Sequence, residues 1–70
     1  MKVVLNAGQP GVLPPAAAND VHQAIEAMLE GMGNAAINQT HQITVKGHTV
    51  NWTITNKDAA NYYVRVNAYH

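Results

Sequence analysis

"HQITVKGHTVNWTIT", residues 41–55, is the stretch on which the fold turns. Apolar and polar residues alternate on both sides of a Gly-His pair, the two-residue period of a strand with one face buried. Gly47-His48 fits a two-residue hairpin turn with glycine in the first position, where a positive φ is required. That turn sets Val45 opposite Val50, Ile43 opposite Trp52 and His41 opposite Ile54. The other face then receives Thr44 with Asn51 and Gln42 with Thr53. Both strands agree on which face is apolar, and a slip of one residue would destroy the agreement. Trp52, the largest side chain, is expected to anchor the core beside Ile43.

Upstream of this ribbon, "PAAANDVHQAIEAMLEGM" carries Val21, Ala24, Ile25, Met28, Leu29 and Met32 at helical spacing, a single apolar stripe. His22, Gln23, Glu26 and Glu30 fall on the other side. Pro15 suits the first turn, where its missing N–H costs nothing, and Asn19 or Asp20 offers a cap for a later start. Gly31 and Gly33-Asn34 end the helix. "NAGQPGVLPP" reads as a loop, and residues 1–14 as an extended arm or edge strand followed by that loop. Downstream, "YYVRVNAY" resumes alternation, with Tyr62, Val64, Val66 and Ala68 on one face and Tyr63, Arg65, Asn67 and Tyr69 on the other. A helix over 57–69 is the rival reading, but Val, Tyr and the strict alternation favour a strand. The expectation is an α+β fold: one amphipathic helix packed on a small antiparallel sheet made of the hairpin 41–55 and the strand 62–69, all in one domain over residues 1–70.

Composition narrows the chemistry. The chain has 70 residues, no cysteine and a formal net charge of zero. A core of this size leaves a thin margin of stability, and disulfides cannot widen it. Lys2, Lys46, Lys57 and Arg65 are the only Lys and Arg residues, so the basic excess of a nucleic-acid binder is missing. Nothing approaches the roughly 20 apolar residues of a membrane span. No export signal is visible in the sequence, which suits the cytoplasm or the inside of an assembled particle. A low-charge surface rich in asparagine repels other chains weakly.

Catalytic and metal readings find little to stand on. The sequence has neither Ser nor Cys for a nucleophile, and Glu26 and Glu30 share a solvated helix face. His22, His48 and His70 are expected to point in different directions, while His41 sits at the margin of the apolar face as a hydrogen-bonded core histidine. The spacing of His41 and His48 is not a zinc pattern. No catalytic residue, cofactor ligand or metal ligand is assigned. Arg65, Tyr63, Tyr69, His70 and Lys46 on one outer face would be the working group of a small metal-independent ribonuclease, which uses the RNA 2′-hydroxyl as its nucleophile.

"ANYYVRV", residues 60–66, with a helix ahead of it, resembles the central strand of the cystatins, inhibitors of cysteine proteases. The inhibitor loop that should precede it is absent, since "TNKDA" stands there, and no binding residue is carried over. The order helix, hairpin, "TNKDAANYYV" is similar in layout to the small head-joining proteins of tailed phages.

The outer sheet face, with Thr44, Asn51, Thr53, Tyr63, Arg65 and Tyr69, is therefore the expected partner-binding surface. Tyr and Arg are frequent interface anchors, and Thr and Asn hydrogen-bond at small desolvation cost. The expected function is that of a non-enzymatic interaction or assembly protein, its partner a protein, either a copy of itself or another chain, in an oligomer or a larger particle. A small enzyme inhibitor and a ribonuclease toxin are the alternatives.

Overall fold

The computed structural model describes residues 2–5 and 12–70, in the order β1 (Lys2–Leu5), α1 (Pro15–Met32), β2 (Thr40–Val45), β3 (His48–Lys57) and β4 (Asn61–Tyr69). Most of the expected Gly- and Pro-rich loop, residues 6–11, lies outside the described residues. The fold is α+β, with α1 packed on one face of a single four-stranded sheet of order β1-β4-β3-β2.

The sheet is mixed, where a purely antiparallel one was expected. β2, β3 and β4 form an antiparallel meander, but β1 joins β4 in parallel, pairing Val3 with Tyr62 and Leu5 with Val64. β4 is consequently an interior strand, and the edges are β1 and β2. Four apolar-leaning residues ahead of a loop carry no signal of direction or partner. Residues 61–69 are a strand, as their alternation predicts, and the helical reading is excluded.

The hairpin forms, with its turn one residue earlier than expected. Lys46 and Gly47 occupy the two turn positions with φ of 50° and 81°, the double positive-φ signature of a type I′ turn. Glycine therefore takes the second central position, its usual place in this turn type. Val45 now faces His48, Ile43 faces Val50 and His41 faces Trp52, while Thr44 meets Thr49, Gln42 meets Asn51 and Thr40 meets Thr53. The partner of each residue has moved by two, an even shift that leaves every side chain on its expected face. Alternation fixes the face but is blind to a two-residue slip; the turn decides between the registers.

The helix stripe is narrower than its sequence suggests. Val21, Ile25 and Leu29 are buried, Ala24 and Met28 half-buried, and Met32 remains 39% exposed at the last turn. Pro14 and Pro15 open the helix without a side-chain cap, so neither Asn19 nor Asp20 caps it. Gly33 closes it at φ 76°, donating its N–H to the Glu30 carbonyl at 3.3 Å. The helix residues meet Val50, Trp52, Ile54, Tyr62, Val64, Val66 and Val3 in one core, with Trp52 fully buried at its centre. The Trp52 anchor is thus as expected, although its neighbour across the ladder is His41 rather than Ile43.

Candidate interaction surface

The face of the sheet opposite α1 carries the outward half of each strand's alternation: Thr40, Gln42 and Thr44 on β2, Thr49, Asn51 and Thr53 on β3, and Tyr63 and Arg65 on β4. All of these are half-buried or exposed, and their inward neighbours Val50, Trp52, Ile54, Val64 and Val66 are buried.

Two bulges decide which residues belong to this face. Between Asn51 and Trp52 the β4 register jumps, leaving Asn67 as an extra residue; between Ile54 and Asn56 the jump leaves Thr55 extra on β3. Each extra residue reverses the alternation beyond it. After Asn67, Ala68 pairs with Asn51 on the outer face and Tyr69 pairs with Val50 on the inner one. Tyr69 accordingly packs against the core margin and stacks on His48, ring centroids 4.8 Å apart and planes 19° apart. Tyr69 was expected beside Tyr63 and Arg65, and the bulge turns it to the opposite side. Strict alternation cannot foresee this, because nothing in "RVNAY" except a lone Asn marks the irregularity. The same logic after Thr55 brings Lys57 opposite Tyr62. There its ammonium donates to the Asn34 side-chain oxygen at 3.3 Å and the Ala35 carbonyl at 3.1 Å, tying β3 to the segment after the helix.

The remaining outer residues are linked. Arg65 Nε donates to Asn67 Oδ1 at 3.1 Å, Asn67 Nδ2 donates to Thr53 Oγ1 at 2.6 Å, and Thr53 and Thr40 share a hydrogen bond at 2.9 Å. This chain of side chains crosses three strands and holds Arg65 in place at one end. At the end of the sheet nearest the β3–β4 turn, the Tyr63 hydroxyl donates to Asp58 Oδ2 at 2.6 Å. Asp58 Oδ1 accepts the backbone N–H groups of Ala60 and Asn61 at 2.9 and 2.8 Å. The Tyr63 hydroxyl, followed by those two N–H groups, holds the Asp58 carboxyl below its ordinary pKa, and the same bond raises the Tyr63 phenol above its own. Thr44 and Asn51 lie on this face at the hairpin end.

His22, His41 and His48 stand in separate surroundings, and His70 donates its backbone N–H to the Thr49 carbonyl at 2.8 Å. His22 Nε2 donates to the Val3 carbonyl at 2.6 Å and lies 3.4 Å from Glu26, so it leans toward β1 and off the polar side of the helix where it was expected. His41 lies over Trp52 with centroids 4.8 Å apart, and its buried Nε2 has no hydrogen-bond partner, contrary to the expected hydrogen-bonded role. His48 lines, with Pro14, Ala17, Val45, Lys46 and Tyr69, a groove of about 260 Å³ between the start of the helix and the hairpin turn. Lys46 is drawn across its mouth to Asp20 at 3.1 Å. Among the described residues no three His, Cys, Asp or Glu side chains converge on a point where a metal ion could bind. No described helix is long and apolar enough to cross a membrane. Comparison of the chain with protein-family models, curated proteins and solved structures finds no match.

Proposed function

We propose that this protein is a non-enzymatic interaction or assembly module that contacts a protein partner through the outer face of its sheet. The observation that carries this reading is the hydrogen-bonded chain Thr40–Thr53–Asn67–Arg65, which fixes an arginine on a face that α1 leaves uncovered. A side chain ordered before binding loses less entropy when a partner arrives, and Arg is a common energetic anchor of interfaces. Tyr63, held by Asp58, supplies a second ordered anchor, and Thr44, Asn51 and Thr53 supply hydrogen-bonding groups between and beside them. The scarcity of charge on the strands keeps desolvation costs small.

The test is capture of binding partners from a native lysate by the folded chain and by Arg65→Glu, with crosslink mapping of the contact. Loss of the captured partner in the variant, with crosslinks on β3 and β4, is the expected outcome. A partner retained in full by Arg65→Glu, or crosslinks confined to the helix, would overturn the reading.

A further inference from the structure

The two edges of the sheet are finished differently. On β1, a strand of four residues, the backbone groups of Val3 face outward, because Lys2 donates to the Ala60 carbonyl of the turn before β4. His22 has taken the outward Val3 carbonyl at 2.6 Å, and Lys2 places a charge at the end of that edge. Both features discourage another strand from pairing there.

β2 has neither device. Its six residues, Thr40–Val45, include no charge, no proline and no bulge. Which backbone groups it leaves free follows from the turn. A two-residue hairpin makes its flanking pair, Val45 and His48, exchange hydrogen bonds, and bonded pairs alternate from there. Two bonds elsewhere agree with this phase. The Thr49 carbonyl accepts from His70 on the β4 side, so the Thr44–Thr49 pair is a non-bonded one, and Ile54 donates to the Gln39 carbonyl. Val45, Ile43 and His41 therefore turn their N–H and C=O groups to β3. Thr40, Gln42 and Thr44 turn theirs to the open edge, where, among the described residues, no turn, loop or cap bond takes them up.

We propose that β2 pairs antiparallel with β2 of a second copy of this chain, with Gln42 on the two-fold axis; the proposal names the partner of the interaction reading above and rests on it. Three residues at alternate positions offer the same donor and acceptor pattern when the strand is inverted on itself. Centring the axis on Gln42 bonds Gln42 to its own copy and Thr40 to Thr44 of the second copy, about six hydrogen bonds in all. Centring it midway between two residues would oppose residues of unlike face, and two-fold pairing about Ile43 would leave the Thr40 groups unused. In the Gln42 register His41 lies beside Ile43 of the second copy on the inner face, covering two side chains that are only half-buried in the single chain. No like charges meet, since the nearby cation Lys46 is held by Asp20. The product is a continuous sheet with both helices on the same side and both outer faces joined.

The absence of cysteine from the sequence makes a clean test. Bonded antiparallel residues have Cα atoms about 5.5 Å apart, within disulfide range. Gln42→Cys is expected to form a disulfide-linked dimer under mild oxidation. Thr40→Cys and Thr44→Cys should each fail alone and crosslink when mixed. Without oxidation, sedimentation should give about twice the 7.5 kDa of the chain, and Gln42→Lys should return the mass to a monomer with Trp52 fluorescence unchanged. Gln42→Pro is a second variant with the same expected loss, because the N–H it removes faces the open edge and not β3. A wild-type chain that stays monomeric at high concentration overturns the proposal, as does a dimer that survives both Gln42 variants or crosslinks without the Gln42 preference. If the chain is monomeric but Arg65→Glu still abolishes partner capture, the pairing fails and the interaction reading stands. If the dimer forms as described and Arg65→Glu changes no capture, the outer face loses its role while the pairing stands.

Discussion

β3 presents Val50, Trp52 and Ile54 to one side and Asn51 and Thr53 to the other, so the two faces of the sheet share a backbone and differ in everything else. Along β3 the inner face is sealed: Val50, Trp52 and Ile54 are fully buried in the core shared with α1, and their removal leaves cavities. Among the described residues the outer face has no covering layer, and its order comes from side chains bonded to one another across the strands. Stability resides on the first face. The second is free to be chosen for contact, because exposed polar substitutions change stability little. The contrast is sharpest at Trp52, where replacement by alanine is expected to cost about 3–5 kcal/mol, a large part of what a domain of this size possesses. Chemical denaturation followed by circular dichroism measures it. An unchanged midpoint would mean that the inner face does not carry the fold.

The turn keeps the two faces in register, and its failure should blur them. Gly47 holds a φ of 81°, and a Cβ built there meets nothing within 4 Å. Gly47→Val should therefore destabilise through backbone conformation alone, by about 1–2 kcal/mol. Gly47→Asn should recover part of the loss, since asparagine tolerates positive φ better than valine. Equal midpoints for the three proteins would show that the hairpin does not depend on the type I′ turn.

How far these faces were legible in the sequence depends on what kind of information alternation carries. Period two in "HQITVKGHTVNWTIT" identified the inward set correctly, and the helical stripe identified Val21, Ile25 and Leu29. The pattern says nothing about slips of two residues, so the pairing of Trp52 with His41 had to come from the turn. It assumes one residue per step, so the bulge at Asn67 hid the turning of Tyr69 onto His48. It also describes single strands and not their neighbours, and the parallel docking of β1 that places β4 in the interior is a long-range choice. The outer residues Thr53, Arg65 and Tyr63 were legible as a set; the hydrogen bonds that order them depend on Asn67 and Asp58, which alternation does not single out.

The outer face should reveal itself through pH more than through packing. Asp58 has its folded pKa lowered from 3.8, so its contribution is present above that value and is lost as the pH falls through the folded one. Tyr63 has its folded pKa raised from 10.0, so its contribution is present below 10.0 and is lost as the pH rises through the folded value. Stability should be level between these limits as far as this pair is concerned. Asp58→Asn keeps an oxygen for the Ala60 and Asn61 N–H groups but removes the charge. It should lessen the loss of stability between neutral pH and about pH 3, and return the Tyr63 phenol toward its ordinary titration. Identical acid limbs in the two proteins would show that the Tyr63–Asp58 bond does not persist in solution.

The smallest expected effect is the most informative about the comparison. Thr53 joins the outer chain at its middle, accepting from Asn67 at 2.6 Å and sharing a bond with Thr40 at 2.9 Å. Thr53→Val keeps the β-branched shape, and so the strand preference, while deleting the hydroxyl that both bonds require. Asn67 and Thr40 are exposed, so water can replace the lost partner, and the change in unfolding free energy should stay within about 0.5 kcal/mol. Arg65, no longer anchored through Asn67, should become more mobile, visible as faster side-chain relaxation at its Nε by NMR. A stable fold with a loosened Arg65 is what separate duties for the two faces require. A loss of stability on the scale of an inner-face substitution would instead make the Thr53 hydroxyl part of what holds the sheet together, and the distinction between a sealed structural face and a free contact face would fail at its centre.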